Sequence, residues 1–132
     1  MPTSKKDLAS LTLLGAKAKA ARTLEAFPNH AKPGSMEVVL DCTEFTCVCP
    51  LTGQPDFAEI EIVYVPNKHV VESKSMKLYL ETFRNEGVFH EHLAQDIGED
   101  FIRYIKPKSV EVTVHFNVRG GIAISATWIG GL

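Results

Sequence analysis

The sequence predicts an α+β fold, namely a four-stranded antiparallel sheet with two helices on one face. Two stretches of alternating apolar and polar residues come first, two stretches with apolar residues at helical spacing follow, and two alternating stretches close the chain. This order of strand, strand, helix, helix, strand, strand favours a sheet covered on one side by both helices. The length of 132 residues fits one domain.

The first predicted hairpin joins a strand over residues 36–45 to a strand over residues 57–65. In the second of these, apolar residues alternate with Glu59 and Glu61, as expected of a half-buried strand. The connection over residues 47–56 contains two prolines and a glycine. It is therefore predicted to turn tightly and to stay outside the hydrogen-bond ladder.

Two helices are predicted after this hairpin. Met76, Leu80 and Phe83 fall on one helical face, which predicts a helix of about three turns that ends around residues 85–87. A second, longer helix is predicted up to Pro107, with Gly98 as a soft point. Its apolar residues recur every four positions at Phe89, Leu93, Ile97, Phe101 and Ile105.

The last quarter of the chain predicts a second hairpin. Apolar residues alternate with polar ones over residues 110–118 and again over residues 122–128. Between them lie Arg119, Gly120 and Gly121, and the two glycines favour a tight turn.

The remaining segment, residues 1–23, is rich in alanine and lysine, with leucines at helical spacing. It is predicted to form an amphipathic helical arm ahead of a single domain over residues 24–132. Four strands cannot close on themselves, so the predicted sheet has two edge strands. Homo-oligomerisation, in which other copies of the chain cover those edges, is therefore expected.

Composition excludes several classes of protein. Fourteen Lys and Arg against sixteen Asp and Glu give a net charge of -2, which argues against a general nucleic-acid binder. No stretch is long and apolar enough to cross a membrane. The first residues weakly imitate a secretory signal, but Asp7, Ser10 and Thr12 interrupt the apolar stretch. Three cysteines do not suggest a disulfide framework, so a reducing compartment, the cytoplasm, is expected.

Cys49 and Asp56 form the strongest local signal for chemistry. A tight loop between them brings a thiol and a carboxyl group together, and a thiol needs a proton acceptor to become a nucleophile at neutral pH. The alternative is that Cys47 and Cys49 are small buried hydrophobic residues at the end of a strand.

His90, Glu91 and His92 form a second candidate group, at the start of the second predicted helix. Glu91 could accept two hydrogen bonds from a heterocycle there, and the structural alternative is a solvated helix start. The two histidines, with Cys42, Cys47 and Cys49, supply enough donors for zinc, but their spacing is not that of structural zinc motifs. No metal is therefore assigned.

Two further segments could contact phosphate groups. Residues 72–77 combine two serines and two lysines at a helix start, and Arg119 stands beside two glycines. The alternative for residues 72–77 is a capped helix with solvated lysines. The chain contains neither a GxGxxG nor a P-loop pattern, so a Rossmann domain is excluded.

Taken together, five segments closely resemble the short form of the 7-cyano-7-deazaguanine reductase family. The most specific ones read Cys-Pro-Leu-Thr-Gly-Gln-Pro-Asp at residues 49–56 and Glu-Ser-Lys-Ser-Met-Lys at residues 72–77. The full set comprises residues 45–57, 72–79, 83–85, 89–91 and 119–121, within a match that runs from about residue 24 to residue 128.

The resemblance implies an NADPH-dependent nitrile reductase that makes the aminomethyl precursor of the queuosine base of transfer RNA. It implies the tunnelling fold shared with GTP cyclohydrolase I, in which subunits assemble into rings of oligomeric barrels with active sites between neighbours. Neither a membrane nor a nucleic acid is an implied partner.

The same resemblance assigns roles to individual residues. Cys49 is expected to add to the nitrile carbon and Asp56 to protonate the nitrogen, which gives a covalent thioimide. An ordinary aspartic acid is ionised at neutral pH, so the proton is expected to come from the thiol when substrate binds. The residues expected to bind the deazaguanine are Val71, Glu72, Ser73, His90 and Glu91. Those expected to serve NADPH are Lys74, Lys77, Arg119, Gly120 and Gly121.

Two features depart from what the resemblance requires. Cys47 is an additional thiol, and Leu93 leaves Cys49 without a cysteine in that segment for a protective disulfide. Three other functions stay open from the sequence. They are a zinc enzyme of the cyclohydrolase type, an amidinotransferase-like enzyme that acts on the same nitrile, and a ring-forming scaffold that only binds a purine-like ligand.

Overall fold

The structure, a computed structural model, describes Lys5 and residues 21–131. Most of the predicted arm over residues 1–23 lies outside the described residues. The strands are β1 (Ala26–Pro28), β2 (Val38–Val48), β3 (Pro55–Val65), β4 (His69–Val71), β5 (Ser109–Phe116) and β6 (Ser125–Gly131). The helices are α1 (Ser73–Glu81) and α2 (His90–Ile105).

The main sheet has four antiparallel strands in the order β2-β3-β5-β6, as predicted. One face carries the apolar residues of every second position, so Ile60, Ile62 and Tyr64 of β3 are buried beside Val112 and Val114 of β5. The other face carries polar and charged side chains such as Glu59, Glu61 and Glu111, together with the exposed apolar residues Val39, Phe57 and Ile129. β2 and β6 are the edge strands of this sheet.

Both helices pack on the apolar face, which confirms the predicted layering. Tyr64 of β3 meets Phe101 of α2 edge to face, with ring centroids 4.7 Å apart. Tyr79 of α1 is fully buried, and its hydroxyl donates a 2.6 Å hydrogen bond to Asp100 of α2. Within residues 21–131, no helix is long and apolar enough to span a membrane.

Gly98, predicted as a soft point of the helix, has a packing role in the structure. Gly98 is buried in the middle of α2, and a side chain there would overlap the indole ring of Trp128 on β6. The missing side chain therefore lets α2 lie directly on the edge of the sheet. Close packing, rather than helix weakening, accounts for glycine at this position.

The connection between β2 and β3 is shorter than predicted. Cys47 pairs with Asp56 and Val48 pairs with Pro55, so these four residues belong to the ladder, and only residues 49–54 form the loop. The prediction that residues 47–56 stay outside the ladder is therefore wrong. Pro55 is tolerated because it is the first residue of its strand.

The connection between the two strands of the second hairpin is longer than predicted. β5 ends at Phe116 and β6 begins at Ser125, so the predicted strands over residues 110–118 and 122–128 are too long at this end. The tight turn itself is present, because Arg119 and Ile122 exchange two 3.0 Å backbone hydrogen bonds. Both glycines between them have positive φ, which fits a two-residue hairpin turn.

A second, two-stranded sheet was not predicted from the sequence. β1 and β4 pair antiparallel with three residues each, which is too short for an alternating pattern to stand out. β4 is held to the main sheet where the Val71 amide donates a 3.1 Å hydrogen bond to the Tyr64 hydroxyl. This contact fixes the chain immediately before Glu72 and α1.

Candidate active site

Cys49 is the first residue of a tightly closed loop. Its amide donates a 2.8 Å hydrogen bond to the carbonyl of Gln54, and its carbonyl accepts a 2.9 Å bond from the amide of Gly53. Gly53 has a φ of +71°, a conformation that other residues rarely adopt, so glycine permits this closure. The thiol is thereby held at a fixed place beyond the end of β2.

The strand register places Cys47 directly opposite Asp56, and directly opposed residues share a face. Cys49 follows in the loop after β2, close enough to Asp56 for the carboxylate to raise the pKa of its thiol. Cys47 is fully buried and Asp56 is 2% exposed, whereas Cys49 is partly exposed. Of the two thiols, Cys49 is therefore the one that a ligand can reach.

The two thiols also differ in acidity. Burial, together with the nearby Asp56 and Cys49, raises the pKa of Cys47 from 9.0 to about 12. Hydrogen bonds from the Thr52 hydroxyl, and then from the backbone at Thr52 and Leu51, lower the pKa of Cys49. Cys49 is therefore the better nucleophile near neutral pH, and Cys47 stays protonated.

Two side chains, Arg119 and His90, contact the buried carboxylate of Asp56. Arg119 donates from Nη1 to Asp56 Oδ1, and its Nη2 donates a 2.8 Å hydrogen bond to the side chain of Gln54. His90 Nε2 lies 3.5 Å from Asp56 Oδ2. The His90 ring stacks on Phe116 with centroids 3.5 Å apart, which fixes the plane of the imidazole. The turn after β5 and the start of α2 thus meet at the Asp56 carboxylate, and the loop after β2 contacts the same guanidinium.

The segment between the two helices lies against the loop that carries Cys49. The Val48 amide donates a 3.1 Å hydrogen bond to the Glu86 carbonyl, and the Val48 carbonyl accepts a 3.4 Å bond from the Val88 amide. A side-chain carbon at Gly87 would lie only 2.9 Å from Pro50 Cα. Glycine therefore allows the two backbones to touch, and this contact ties the start of α2 to Cys49.

Glu72 lies at the start of α1, away from this cluster. Its carboxylate accepts a 2.7 Å hydrogen bond from the Lys74 amide and a 2.6 Å bond from the Ser75 amide, so it caps the helix. Those amides are consequently not free for a phosphate group. α1 spans nine residues, about 13 Å. The segment that touches Val48, residues 86–88, follows the C-terminal end of α1.

The other predicted binding residues differ in exposure and location. Val71 is buried before Glu72, while Ser73 is exposed, as is Glu91 in the first turn of α2. Ser73 and Lys77 line a cleft of about 450 Å³ between α1 and β2. A single chain therefore assembles Cys49, Asp56, His90 and Arg119, but not the residues of α1, around one point.

The residues predicted to bind NADPH are divided between α1 and the turn after β5. Lys74 is half-buried and Lys77 exposed on α1. Gly120 and Gly121 occupy the turn beside Asp56, and nothing lies within 4 Å of where their side chains would begin. A ligand can therefore approach that backbone closely. Arg119, in contrast, directs its guanidinium to Asp56 and Gln54.

Of the possible zinc donors, Cys42, Cys47 and Cys49 are free thiols in one strand and its loop. Within the part of the chain that the structure describes, no three His, Cys, Asp or Glu side chains are grouped as metal ligands.

Comparison with protein families decides the classification. The family model described as "QueF-like protein" matches residues 55–130, more than half of the chain. The chain belongs to the QueF-like family. Its matched region contains Asp56, both helices and the glycine turn.

Curated relatives of this QueF-like chain carry one name. A protein of Syntrophus aciditrophicus is 51% identical over 93% of this chain and 88% of its own length, and is named NADPH-dependent 7-cyano-7-deazaguanine reductase. A protein of Frankia casuarinae with the same name is 55% identical, over 89% of this chain and 94% of its own. A third, from Bacteroides fragilis, is 51% identical over 86% of this chain and 79% of its own length.

A solved structure shares the fold of the QueF-like chain. It is described as the archaeosine synthase QueF-Like in the apo form, with a TM-score of 0.70 and 26% identity. The alignment covers 76% of this chain and 97% of the other. The tunnelling fold expected from the resemblance is thereby confirmed.

Sequence reasoning missed several residues of this QueF-like site. It did not single out Thr52, whose hydroxyl accepts a hydrogen bond from the Gln54 amide, nor Gln54, whose side chain accepts one from Arg119. It also missed Phe116 beneath His90 and the close backbone approach at Gly87. Thr52 and Gln54 stand inside the quoted motif, so their position was a usable signal, whereas the other two contacts join distant segments and leave no local pattern.

Proposed function

We propose that this QueF-like chain is an NADPH-dependent 7-cyano-7-deazaguanine reductase, which converts the nitrile of its substrate into an aminomethyl group for queuosine biosynthesis. The observation that carries the proposal is an accessible thiol of lowered pKa, Cys49, near the buried carboxylate of Asp56. The names of the relatives supply the substrate and the reductant.

Covalent capture explains why the two groups belong together. A nitrile is a weak electrophile, and attack by a thiolate divides its reduction into easier steps. The Cys49 sulfur forms a bond to the nitrile carbon while one carbon–nitrogen π bond breaks. Asp56 takes the thiol proton and passes it to the nitrogen, which leaves a neutral thioimide.

Binding of the deazaguanine requires acceptors for its ring and amino protons. Glu91 is exposed in the first turn of α2, two positions from the Phe89 cap and adjacent to His90. Glu72 has each carboxylate oxygen in one hydrogen bond, and each oxygen retains a further lone pair. Glu72 and Glu91 are therefore the proposed acceptors, with Val71, Ser73 and His90 completing the substrate site.

The chain offers groups that suit NADPH, an anionic dinucleotide. Lys74 and Lys77 present ammonium groups on α1, and Gly120 and Gly121 present an open backbone beside Asp56. When bound, NADPH supplies the hydride, two equivalents for each nitrile. In the structure the Arg119 guanidinium pairs with Asp56. It can bind the cofactor only if it leaves this carboxylate.

We further propose a homo-oligomer with active sites between neighbours. Among residues 21–131, β2 and β6 each pair with a single strand, so their outer edges are available to other copies. A shared site would also bring the α1 residues of one copy to the Cys49 loop of the next. The proposed unit is the single domain over residues 24–132. The free thiols favour a reducing compartment, the cytoplasm.

The function is tested by mixing purified protein with 7-cyano-7-deazaguanine and NADPH and following the reduced-nicotinamide absorbance. The proposal predicts that two NADPH are consumed for each nitrile and that the product is the 7-aminomethyl compound. Cys49→Ala should abolish consumption, whereas Cys47→Ala should keep it. Light scattering that found a stable monomer would contradict the proposed shared site.

One alternative is favoured by a specific observation, the fold shared with an archaeosine synthase. An amidine-forming enzyme would use the same thiol and carboxyl group but add ammonia or a glutamine nitrogen to the nitrile. The same assay decides between them, because amidine formation needs a nitrogen donor and consumes no NADPH.

A further inference from the structure

We infer that Arg22 is a positioning residue, whose guanidinium holds the segment between α1 and α2 and thereby both the loop of Cys49 and the start of α2. This inference rests on the proposed function, in which Cys49 attacks the substrate beside Asp56 and His90. It gives a role to the end of the predicted arm over residues 1–23.

The guanidinium of Arg22 contacts the segment after α1 in three ways. Its Nε donates a 2.6 Å hydrogen bond to the Thr82 hydroxyl oxygen, and its Nη2 donates a 3.4 Å bond to the Thr82 carbonyl. Nη2 also forms an ion pair with the Glu86 carboxylate. Its Cζ lies over the Phe83 ring, 3.7 Å from the centroid. Such a set of contacts requires arginine, because a lysine ammonium has neither the fork of N–H groups nor the flat face.

The place of Arg22 at the end of α1 has an electrostatic reason. The last carbonyl groups of a helix carry partial negative charge, which a nearby cation stabilises. α1 has no basic residue in its own last turn, and Thr82 is its C-terminal cap. Arg22, 60 positions earlier in the chain, supplies the cation from outside the helix.

The backbone next to Arg22 is fixed to the body of the domain. Leu24 is buried in the core. The Glu25 carbonyl accepts a 2.8 Å hydrogen bond from the Glu72 amide, and the Glu25 amide donates a 3.0 Å bond to the Ser75 hydroxyl oxygen. The side chain of Arg22 therefore reaches the segment after α1 from an anchored point.

The segment that Arg22 contacts is the one that touches the Cys49 loop. The Val48 amide donates a 3.1 Å hydrogen bond to the Glu86 carbonyl, and the Val88 amide donates a 3.4 Å bond to the Val48 carbonyl. Glu86 thus binds Arg22 through its side chain and Val48 through its backbone. Since Val48 directly precedes Cys49, two steps of direct contact connect the guanidinium to the residue before the thiol.

The same segment determines where α2 begins. Phe89, the N-terminal cap residue of α2, makes no side-chain hydrogen bond to cap the helix. His90 follows as the first residue of α2, and its imidazole lies 3.5 Å from the Asp56 carboxylate. A shift of residues 86–88 would therefore displace His90 as well as Cys49, and misplaced reacting groups lower the rate.

The first test is hydrogen–deuterium exchange, followed by peptide mass, in the full chain without substrate. Arg22→Met removes the guanidinium at similar length, and we expect the peptides that contain Val48 and Val88 to exchange about fivefold faster. Peptides of β5, in the core, should stay protected over the same labelling times. Arg103→Met, which removes an exposed arginine that pairs with Asp100 on α2, is the matched control and should leave the exchange unchanged.

The second test is the rate of thioimide formation with 7-cyano-7-deazaguanine in the absence of NADPH. Arg22→Met should slow it by about fivefold at saturating nitrile, because the thiol and the imidazole lose their alignment. Arg22→Lys, which keeps the charge but not the fork, should recover part of the rate. A merely structural residue would lower the melting temperature without changing the rate for each folded chain.

Unchanged exchange at Val48 and Val88 in Arg22→Met would overturn the inference, as would loss of protection in β5 or a normal rate of thioimide formation in that variant. If Arg22→Met is poorly folded, Glu86→Gln removes the ion pair from the other side, and exchange equal to that of the unchanged protein would overturn it equally. An unchanged protein that forms no thioimide would refute the proposed function, and the exchange data alone then decide whether Arg22 holds the segment.

Discussion

Arg119 and Asp56 form an ion pair between the glycine turn after β5 and the first residues of β3. The carboxylate is 2% exposed, and the guanidinium also donates to Gln54 in the loop that carries Cys49. The planar guanidinium holds two acceptors at once through separate nitrogens, with a fixed geometry that a lysine ammonium lacks. One side chain therefore positions the proposed proton carrier and supports the loop of the proposed nucleophile.

Arg119→Met is expected to slow formation of the thioimide about tenfold in the absence of NADPH, because a loosely held carboxylate loses its alignment. Stopped-flow absorbance with 7-cyano-7-deazaguanine measures this rate directly. Arg119→Lys keeps the charge but not the fork, so it should recover only part of the rate. Normal adduct formation with only a raised KM for NADPH would show that Arg119 serves the cofactor alone.

Asp56→Asn separates ionisation of the thiol from delivery of the proton. Asp56 raises the pKa of Cys49, so removing its charge lowers that pKa further and should speed alkylation by iodoacetamide at neutral pH. Adduct formation with the nitrile should nevertheless slow by about a hundredfold, because nothing protonates the nitrogen. Substrate binding, measured by calorimetry with Cys49→Ala in the background, should persist. A normal rate of adduct formation would refute the proton shuttle.

Gly87→Ala should displace the segment that touches Pro50 and thereby shift Cys49 relative to His90. The added carbon would meet backbone atoms, which cannot move aside as a flexible side chain can. We expect kcat to fall by about tenfold or more with a smaller change in melting temperature. Asn85→Ala, an exposed change two residues earlier, is the matched control and should behave as the unchanged protein. Equal kcat values for the two variants would show that the close approach has no role in turnover.

Cys47 gives a pH dependence of stability with a defined sign. Its pKa is about 9.0 when exposed and about 12 in the fold, so the unfolded chain releases the thiol proton first. The contribution of the buried, protonated Cys47 thiol to the free energy of unfolding is complete below pH 9 and is lost as the pH rises toward 12. Urea unfolding should therefore give a free energy that falls more steeply with alkaline pH than in Cys47→Ala. Parallel curves for the two proteins would contradict the burial of a protonated thiol.

The sequence was sufficient to predict the layers of the fold, and close contacts account for most of the errors. Alternation in β3 and the four-residue spacing in α2 are strong because each repeats over many residues. From the sequence alone, a glycine at position 98 could either weaken the helix or make room for Trp128, and only the folded structure distinguishes these two cases. Pro55 was read as part of a loop, although the first position of a strand accepts it.

The candidate site was predictable only in part. Cys49 and Asp56 are separated by six residues, so a turn was enough to associate them. The pairing of Asp56 with Arg119 joins residues 63 positions apart, and the stacking of His90 on Phe116 likewise depends on sheet and helix packing. The resemblance assigns Glu72 to the substrate, while its two hydrogen bonds as a helix cap agree with the alternative of a capped helix over residues 72–77. The two long-range contacts follow from tertiary packing and have no local pattern.

The most direct test of the proposed chemistry is the mass of the protein after incubation with 7-cyano-7-deazaguanine in the absence of NADPH. We predict one substrate mass added to each chain, located by peptide mapping on Cys49, absent in Cys49→Ala and retained in Cys47→Ala. The added mass should disappear when NADPH is supplied. Addition at Cys42 or Cys47, or continued turnover of NADPH by Cys49→Ala, would contradict covalent catalysis by the Cys49 thiol.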